Sequence, residues 1–244
     1  MTPCNGRFPT LVLLMTLLVG SGGAVAPLGR AAMLTALLVC SVLVTLTVVR
    51  ILRKTLLRGK EGGFILELPP FRRPRIGQIL LRSLPDRTGK VLARAVLAAA
   101  PAGALIWCLG EVRVAGQPLL GALSRLLDGP AGWMGLPGSL LLAFFLSFPA
   151  NELLLPLWIG ILQAGAAAAA EAALPSLLAE AGMGPRMALC ALLFTLFHWP
   201  CATTLLTIRR ETGSRKWTLF ALVLPAAVGF LLSAAANLLW GILQ

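Results

Sequence analysis

Residues 139–163 read SLLLAFFLSFPANELLLPLWIGILQ. Two apolar runs meet at Phe148-Pro149-Ala150-Asn151-Glu152, and that meeting decides how the chain can be threaded. Proline has no N–H to give a helix, so the backbone it frees must be satisfied by protein or water. Glu152 is the only charge in the stretch. A carboxylate in a membrane segment costs about 2.5–3.5 kcal/mol on insertion scales, which marks it for function. The stretch is too apolar for a surface loop and too interrupted for one straight crossing. It predicts a broken, re-entrant hairpin over about residues 139–163.

The whole chain supports lipid as the solvent for that hairpin. Its 244 residues are 58% hydrophobic and 12% charged, with mean hydropathy +0.88. Soluble domains carry about 25% charged residues, roughly twice this share. A soluble enzyme, a disordered chain and a collagen-like fibre are disfavoured on composition alone. The net charge of +12 would ordinarily suggest nucleic acid, but too little polar surface is left for such a partner. The predicted fold is all-α: a polytopic helical bundle with broken helices and a basic cytoplasmic loop.

A spanning helix needs about 20 predominantly apolar residues, so charge-free stretches define the candidates. These are 8–29, 31–49, 95–110 (extended toward the basic side by Val91 and a snorkelling Arg94), 129–151, 153–170, 187–208 and 217–244. Twelve of the 21 basic residues lie from Arg50 to Arg94, against the acids Glu61, Glu67 and Asp86. The positive-inside rule makes that segment cytoplasmic, with the N-terminus inside and 111–128 outside. If 139–163 crossed once, the basic turn 209–216 would face outward. A hairpin that returns to its own side places 209–216 in the cytoplasm and the C-terminus outside. The N-terminus also admits another reading: Arg7, an apolar run and Ala24-Val25-Ala26 imitate a signal peptide over residues 1–26.

Several residues carry possible chemistry, each with a plain alternative. Pro3-Cys4 precedes the first apolar run and Pro200-Cys201 lies inside the sixth. A proline there frees carbonyl lone pairs, and a cysteine adds a soft sulfur suited to transition metals. Discontinuous helices of this kind build ion sites in transporters. The alternative is a packing kink at Pro200 beside an inert Cys201. Glu152 can bind a cation, carry a proton or pair with a base; equally, Asn151 can cap a half-helix with Glu152 in its first turn. His198, the only histidine, reads as a cavity-lining or interfacial residue, and no His-Glu-x-x-His is present. Cys40, Cys108 and Cys190 show no paired spacing and read as helix filler. Gly59-Lys60 and Gly89-Lys90 lack the rest of a P-loop, so this chain is not expected to be an enzyme that hydrolyses nucleotide. The basic segment combines a cationic helix end, suited to anionic lipid headgroups, with a proline-stiffened turn at 64–74. That turn is a topology signal or, beyond that, a docking surface for a soluble partner.

At this point the motifs resemble a known family. Glu67-Leu68-Pro69-Pro70-Phe71-Arg72-Arg73-Pro74 looks like a segment of the C-terminal membrane region of FeoB, the bacterial ferrous iron transporter. His198-Trp199-Pro200-Cys201-Ala202-Thr203-Thr204, with Ile208 to Ser214 and Lys216-Trp217 after it, is similar to the family's last gate repeat. Pro3-Cys4-Asn5-Gly6-Arg7-Phe8-Pro9 resembles the close of the preceding one.

The resemblance implies an organisation. Residues 1–9 end a preceding gate repeat and 8–49 form a two-helix transmembrane hairpin. Residues 50–94 are the basic cytoplasmic segment with the ELPPF motif. Residues 91–244 are the C-terminal gate repeat, with the hairpin at about 139–163 and spans at about 187–208 and 217–243. It further implies a split or truncated form without the GTPase domain, in the bacterial inner membrane, passing Fe²⁺ as cargo with no tightly bound cofactor. Cys4 and Cys201 match positions proposed to line the ferrous pathway, and Glu152 matches the acid of an Ala-Lys-Glu motif that here reads Ala150-Asn151-Glu152. The replacement by Asn151 removes a cation beside that acid. Expected partners are membrane lipids and a chain carrying the GTPase and the first membrane half; self-association is left open, and nucleic acid is not expected. The other readings are a gate-type carrier of nucleosides or organic solutes, indifferent to the cysteines, and a non-transporting membrane scaffold.

Overall fold

In the computed structural model the described residues are 4–19, 26–55, 77, 88–114, 117–165, 178 and 182–243. Helix α1 (Phe8–Val19) follows a 3₁₀ turn at Asn5–Arg7. Helix α2 spans Ala26–Thr55 and α3 spans Lys90–Glu111. Two-residue strands β1 (Arg113–Val114) and β2 (Gln117–Pro118) pair antiparallel and turn the chain into α4 (Leu119–Trp133). Then come α5 (Gly138–Leu146), a 3₁₀ turn at Asn151–Leu153, and α6 (Leu154–Gly165). Helices α7 (Pro185–Phe197), α8 (Ala202–Thr212) and α9 (Arg215–Leu243) complete the fold. Apart from the tiny β ladder the described architecture is a helical bundle. The ELPPF motif, Pro3, Ala24-Val25 and most of the basic segment lie outside the described residues.

Among the described residues, three helical stretches are long and apolar enough to cross a membrane: Pro27–Thr55, Pro185–Thr212 and Arg215–Ile242. A fourth exists if α4 and α5, which meet at 105°, count as one bent span. Helix α2 exposes Leu28, Val39, Leu43 and Ile51, and α9 exposes Leu231, Leu238 and Ile242. Apolar faces this open in a bundle with a packed core fit a hydrocarbon surround better than water. The chain is a multi-pass membrane protein.

The core lies elsewhere. Leu11, Leu14 and Met15 of α1, Leu140 to Phe144 of α5, Leu154 and Trp158 of α6, and Cys190 to Leu192 and Phe194 to Phe197 of α7 bury one another. Phe144 meets Phe194 edge-to-face with centroids 4.8 Å apart, a favourable aromatic geometry. Helix α9 lies on α7 through Gly229, where an added Cβ would approach Phe194 and the Phe197 backbone to 3.2 Å. Without hydrophobic driving force in lipid, such small residues are how helices gain close contact. Ser233 Oγ donates to the Cys190 carbonyl at 2.9 Å, fixing the two helices in register.

The structure corrects the sequence reading in two places. The apolar run 8–29 is not one span. Its first part is the short helix α1, buried in the core, and α2 already begins at Ala26. Nor is 129–151 continuous. Met134-Gly135-Leu136-Pro137 separates α4 from α5, with Gly135 at φ +69°. A side chain would be strained there, and Pro137 denies the next turn an N–H. Asp128 then bonds the free N–H of Gly138 at 2.8 Å, satisfying the start of α5.

Candidate functional site

Two interruptions in the apolar runs set the site. Between α5 and α6 the chain turns through Ser147 to Ala150 before the Asn151–Leu153 3₁₀ turn. Between α7 and α8 it runs extended through His198, Trp199, Pro200 and Cys201. The two breaks are joined directly: the Ala202 N–H at the head of α8 donates to the Phe148 carbonyl at 3.0 Å. In a continuous helix it would have bonded four residues back, to His198.

Pro200 cannot donate to Leu196, its partner four residues back, so α7 ends with carbonyls unclaimed. Arg7 claims them. Its Nη1 donates to the Thr195 and Leu196 carbonyls at 3.2 and 3.1 Å. Its Nη2 donates to those of His198 and Trp199 at 3.4 and 2.9 Å. The guanidinium is 5% exposed, so a charge from the start of the chain is sealed into the end of α7. Positive charge also complements the C-terminal end of a helix dipole.

Around this tie lies a cavity of about 390 Å³ lined by Cys4, Arg7, Asn151, His198, Cys201 and Thr204 among others. Leu224 and Pro225 of α9 close another wall. The two cysteines of the Pro-Cys motifs thus share one chamber, although 197 positions separate them in the sequence. Asn151 Nδ2 points its N–H at Cys4 Sγ, 3.8 Å away. Cys201 Sγ lies 3.1 and 3.2 Å from the Thr203 and Thr204 hydroxyls. Arg7 lies near enough to both sulfurs for electrostatic interaction.

His198 is buried with its ring among Phe144, Phe194 and Trp199. A carbonyl can only accept, so Nδ1, 2.9 Å from the Thr195 oxygen, carries a proton. Four buried polar atoms make no hydrogen bond within the described residues: Arg7 Nε, Asn151 Oδ1, His198 Nε2 and Trp199 Nε1. Three of those four belong to cavity-lining residues. Buried polar atoms in native proteins are nearly always paired, so this clustering sets the chamber apart from the rest of the core.

Glu152 stands apart from the chamber's lining. It is exposed, and its side chain lies against Gly6, where an added Cβ would collide with it. Pro149 occupies the turn after α5 and Pro200 lines the chamber itself. Among the described residues no three of His, Cys, Asp and Glu converge as a metal-holding group. The chamber therefore offers sulfur, hydroxyl and amide donors in dispersed order. Cys40, Cys108 and Cys190 are free and lie on α2, α3 and α7, outside the lining. From the sequence alone Arg7 is only the charge ahead of a signal-peptide-like run, and nothing there assigns it to the site. Its position within the same seven residues as Pro3-Cys4 was the available signal.

A second buried polar group sits at the α4–α5 bend. Asn237 Nδ2 donates to the Gly132 and Trp133 carbonyls at 3.2 and 3.1 Å, and Arg186 Nε donates to Asn237 Oδ1 at 2.8 Å. Every hydrogen-bonding atom of that amide except one lone pair is used.

Comparison with known proteins extends over both membrane segments. The family model described as "Nucleoside recognition", Gate, matches residues 92–215, just over half of the 244. The chain belongs to the Gate family. The model described as "Ferrous iron transport protein B C terminus" matches residues 34–84, immediately before the Gate match. An Fe(2+) transporter FeoB of Staphylococcus aureus is 26% identical over 242 residues, covering 94% of this chain and 34% of that protein. The Fe(2+) transport protein A/Fe(2+) transporter FeoB fusion protein of Porphyromonas gingivalis is 20% identical over 280 residues, covering 94% of this chain and 32% of that protein. This Gate chain thus resembles the C-terminal membrane region of FeoB, and it spans about a third of the length of the curated relatives it matches. No solved structure matches it.

Proposed function

We propose that this chain is the membrane-embedded part of a ferrous iron uptake transporter and that Fe²⁺ passes through the chamber between Cys4 and Cys201. The observation that carries this is the meeting of both Pro-Cys sulfurs in one cavity at two broken helices. Soft sulfur beside hydroxyl and amide oxygen suits a borderline divalent transition metal better than Mg²⁺. The donors are dispersed, which suits a pathway: a conducting site has to bind weakly enough to let go. Glu152, exposed beside Gly6, serves as an approach ligand next to the chamber. In this reading a separate chain supplies the GTPase and the first membrane half.

The same reading orients the protein in a bacterial inner membrane. Residues 50–94 and the turn between α8 and α9 face the cytoplasm, following their positive charge. Gly213, at φ +62°, makes that turn by ending α8 in the left-handed region. The α5–α6 break then returns the chain to its own side of the bilayer. A cysteine placed at Arg215 should be labelled only from the cytoplasmic side, and labelling from outside removes this topology.

The deciding experiment is uptake of radioactive iron by cells expressing the chain with its partner. Cys201→Ser and Cys4→Ser should abolish uptake while membrane insertion stays normal. The matched family's description favours one second reading, a gate-type carrier of nucleosides or other organic solutes. Such a carrier would keep its transport in both serine variants.

A further inference from the structure

Arg7 is unusual in having a buried charge with carbonyls and sulfurs around it. Its four donated hydrogen bonds all go to backbone oxygens of the α7–α8 break. Among the described residues no carboxylate forms an ion pair with it; Glu152 packs on its neighbour Gly6 without lining the chamber. The ionisable groups that face it are Cys4, Cys201 and the buried ring of His198. A guanidinium stays ionised under all ordinary conditions, so this part of the chamber wall is permanently positive. The carbonyls it holds are also the oxygens that a broken helix would otherwise offer to a passing cation.

We propose that Arg7 is a tethered internal cation that fills the carbonyl cradle of the α7–α8 break and sets the charge preference of the chamber beside Cys4 and Cys201. This rests on the iron-passage reading for its purpose, and on the hydrogen bonds and burial of Arg7 for its mechanism. With the cradle filled by the protein's own cation, a transported ion meets only the sulfurs and the oxygens left over. Repulsion across a few ångströms of protein is strong enough to shorten the ion's stay. The residue acts on affinity and release and contributes no ligand of its own.

The test separates the two layers. In the full chain, with Cys4, Cys40, Cys108 and Cys190 replaced by alanine, Cys201 is the single reporter. Its rates of modification by a cationic and an anionic methanethiosulfonate of similar size are compared. Arg7→Gln should raise the cation-to-anion ratio about tenfold, equivalent to about 1.4 kcal/mol of local potential. Arg7→Lys, which keeps the charge, should leave the ratio within about twofold, less than about 0.5 kcal/mol. Asn151→Asp leaves the Arg7 cradle untouched and adds a negative charge to the same chamber. It should raise the ratio by its own charge and so serves as the positive control; Arg7→Met, uncharged and of similar length, carries the test if the glutamine variant does not fold. An unchanged ratio in a folded, charge-removed Arg7 variant overturns the inference. Equilibrium dialysis with Co²⁺ on chains retaining both cysteines addresses the other layer: Arg7→Gln should bind it more tightly and Cys201→Ser should cancel that gain. A shifted reagent ratio with no cysteine-dependent Co²⁺ binding in any variant upholds Arg7 and removes the metal passage.

Discussion

The α4–α5 bend and the α7–α8 break solve the same problem with opposite results. At the bend, Asp128 caps α5, while Asn237 and Arg186 tie the end of α4 to α9 and α7. At the break, Arg7 answers four carbonyls, yet among the described residues Asn151 Oδ1 and His198 Nε2 have no partner beside a large chamber. Saturated interruptions hold a fold in shape. Unsaturated ones keep donors and acceptors in reserve, at an energetic cost that only function repays. The contrast locates the site more sharply than does the presence of proline, which both regions share.

The widest separation between the two regions should appear on replacing their sulfurs. Cys201→Ser should reduce iron uptake by more than the roughly 10–100-fold typical of losing an outer partner of a metal site. Cys190→Ala, on the same helical stretch but within the saturated packing, should leave uptake per folded molecule unchanged. Equal losses in both, measured with radioactive iron at matched membrane levels, would erase the distinction. Next in size, Asn237→Leu should lower unfolding stability in mild detergent by about 2–4 kcal/mol, since it takes a partner from the Trp133 carbonyl and Arg186 and leaves the Gly132 carbonyl to the Gly135 N–H. Transport by the folded fraction should persist, because the bend holds shape and passes nothing.

A smaller effect should follow at the α7–α9 contact. Ser233→Ala removes one buried hydrogen bond and should cost about 1 kcal/mol, read from the same denaturation curves. Smallest is Gly6→Ala, whose new methyl must displace the Glu152 side chain. A flexible, exposed neighbour yields readily, so stability should fall by no more than about 0.5 kcal/mol. Iron uptake at low concentration should nonetheless shift if Glu152 is the approach ligand, and uptake identical to the parent at every concentration would remove Glu152 from the path.

The breaks near Pro149 and Pro200 were legible because proline and charge are conspicuous in an apolar background. The bend at Met134–Pro137 was not, since spans were delimited by charges and this stretch has none. Gly135 and Pro137, two residues apart, were the mark to follow. Residues 111–128 hold a helix that charge alone does not show: Leu120, Leu123 and Leu127 supply helical spacing for α4 among Arg125 and Asp128. The candidate site was half legible. Two cysteines and Asn151 stood out chemically, but nothing local to the sequence says that Cys4 lies beside Cys201. That adjacency depends on Arg7 reaching across to the end of α7, and no periodicity records a contact of that range. Asn237 was likewise hidden as a single amide in the last apolar run; its position four residues after Ser233 places both on the face that meets α7.

The Arg7 tie joins residues separated by 188 to 192 positions in the chain. During synthesis from the N-terminus, α1 therefore reaches the bilayer long before the carbonyls that will receive its guanidinium have been made. Until residues 195–199 emerge and insert, the chamber has only one of its two walls. A ribosome-bound or prematurely released fragment holds Cys4 without Cys201 opposite, and its charged Arg7 has yet to find the oxygens that shelter it. The chamber is therefore closed only once the α7–α8 break has been made, and a fragment that stops before residue 195 has no closed chamber.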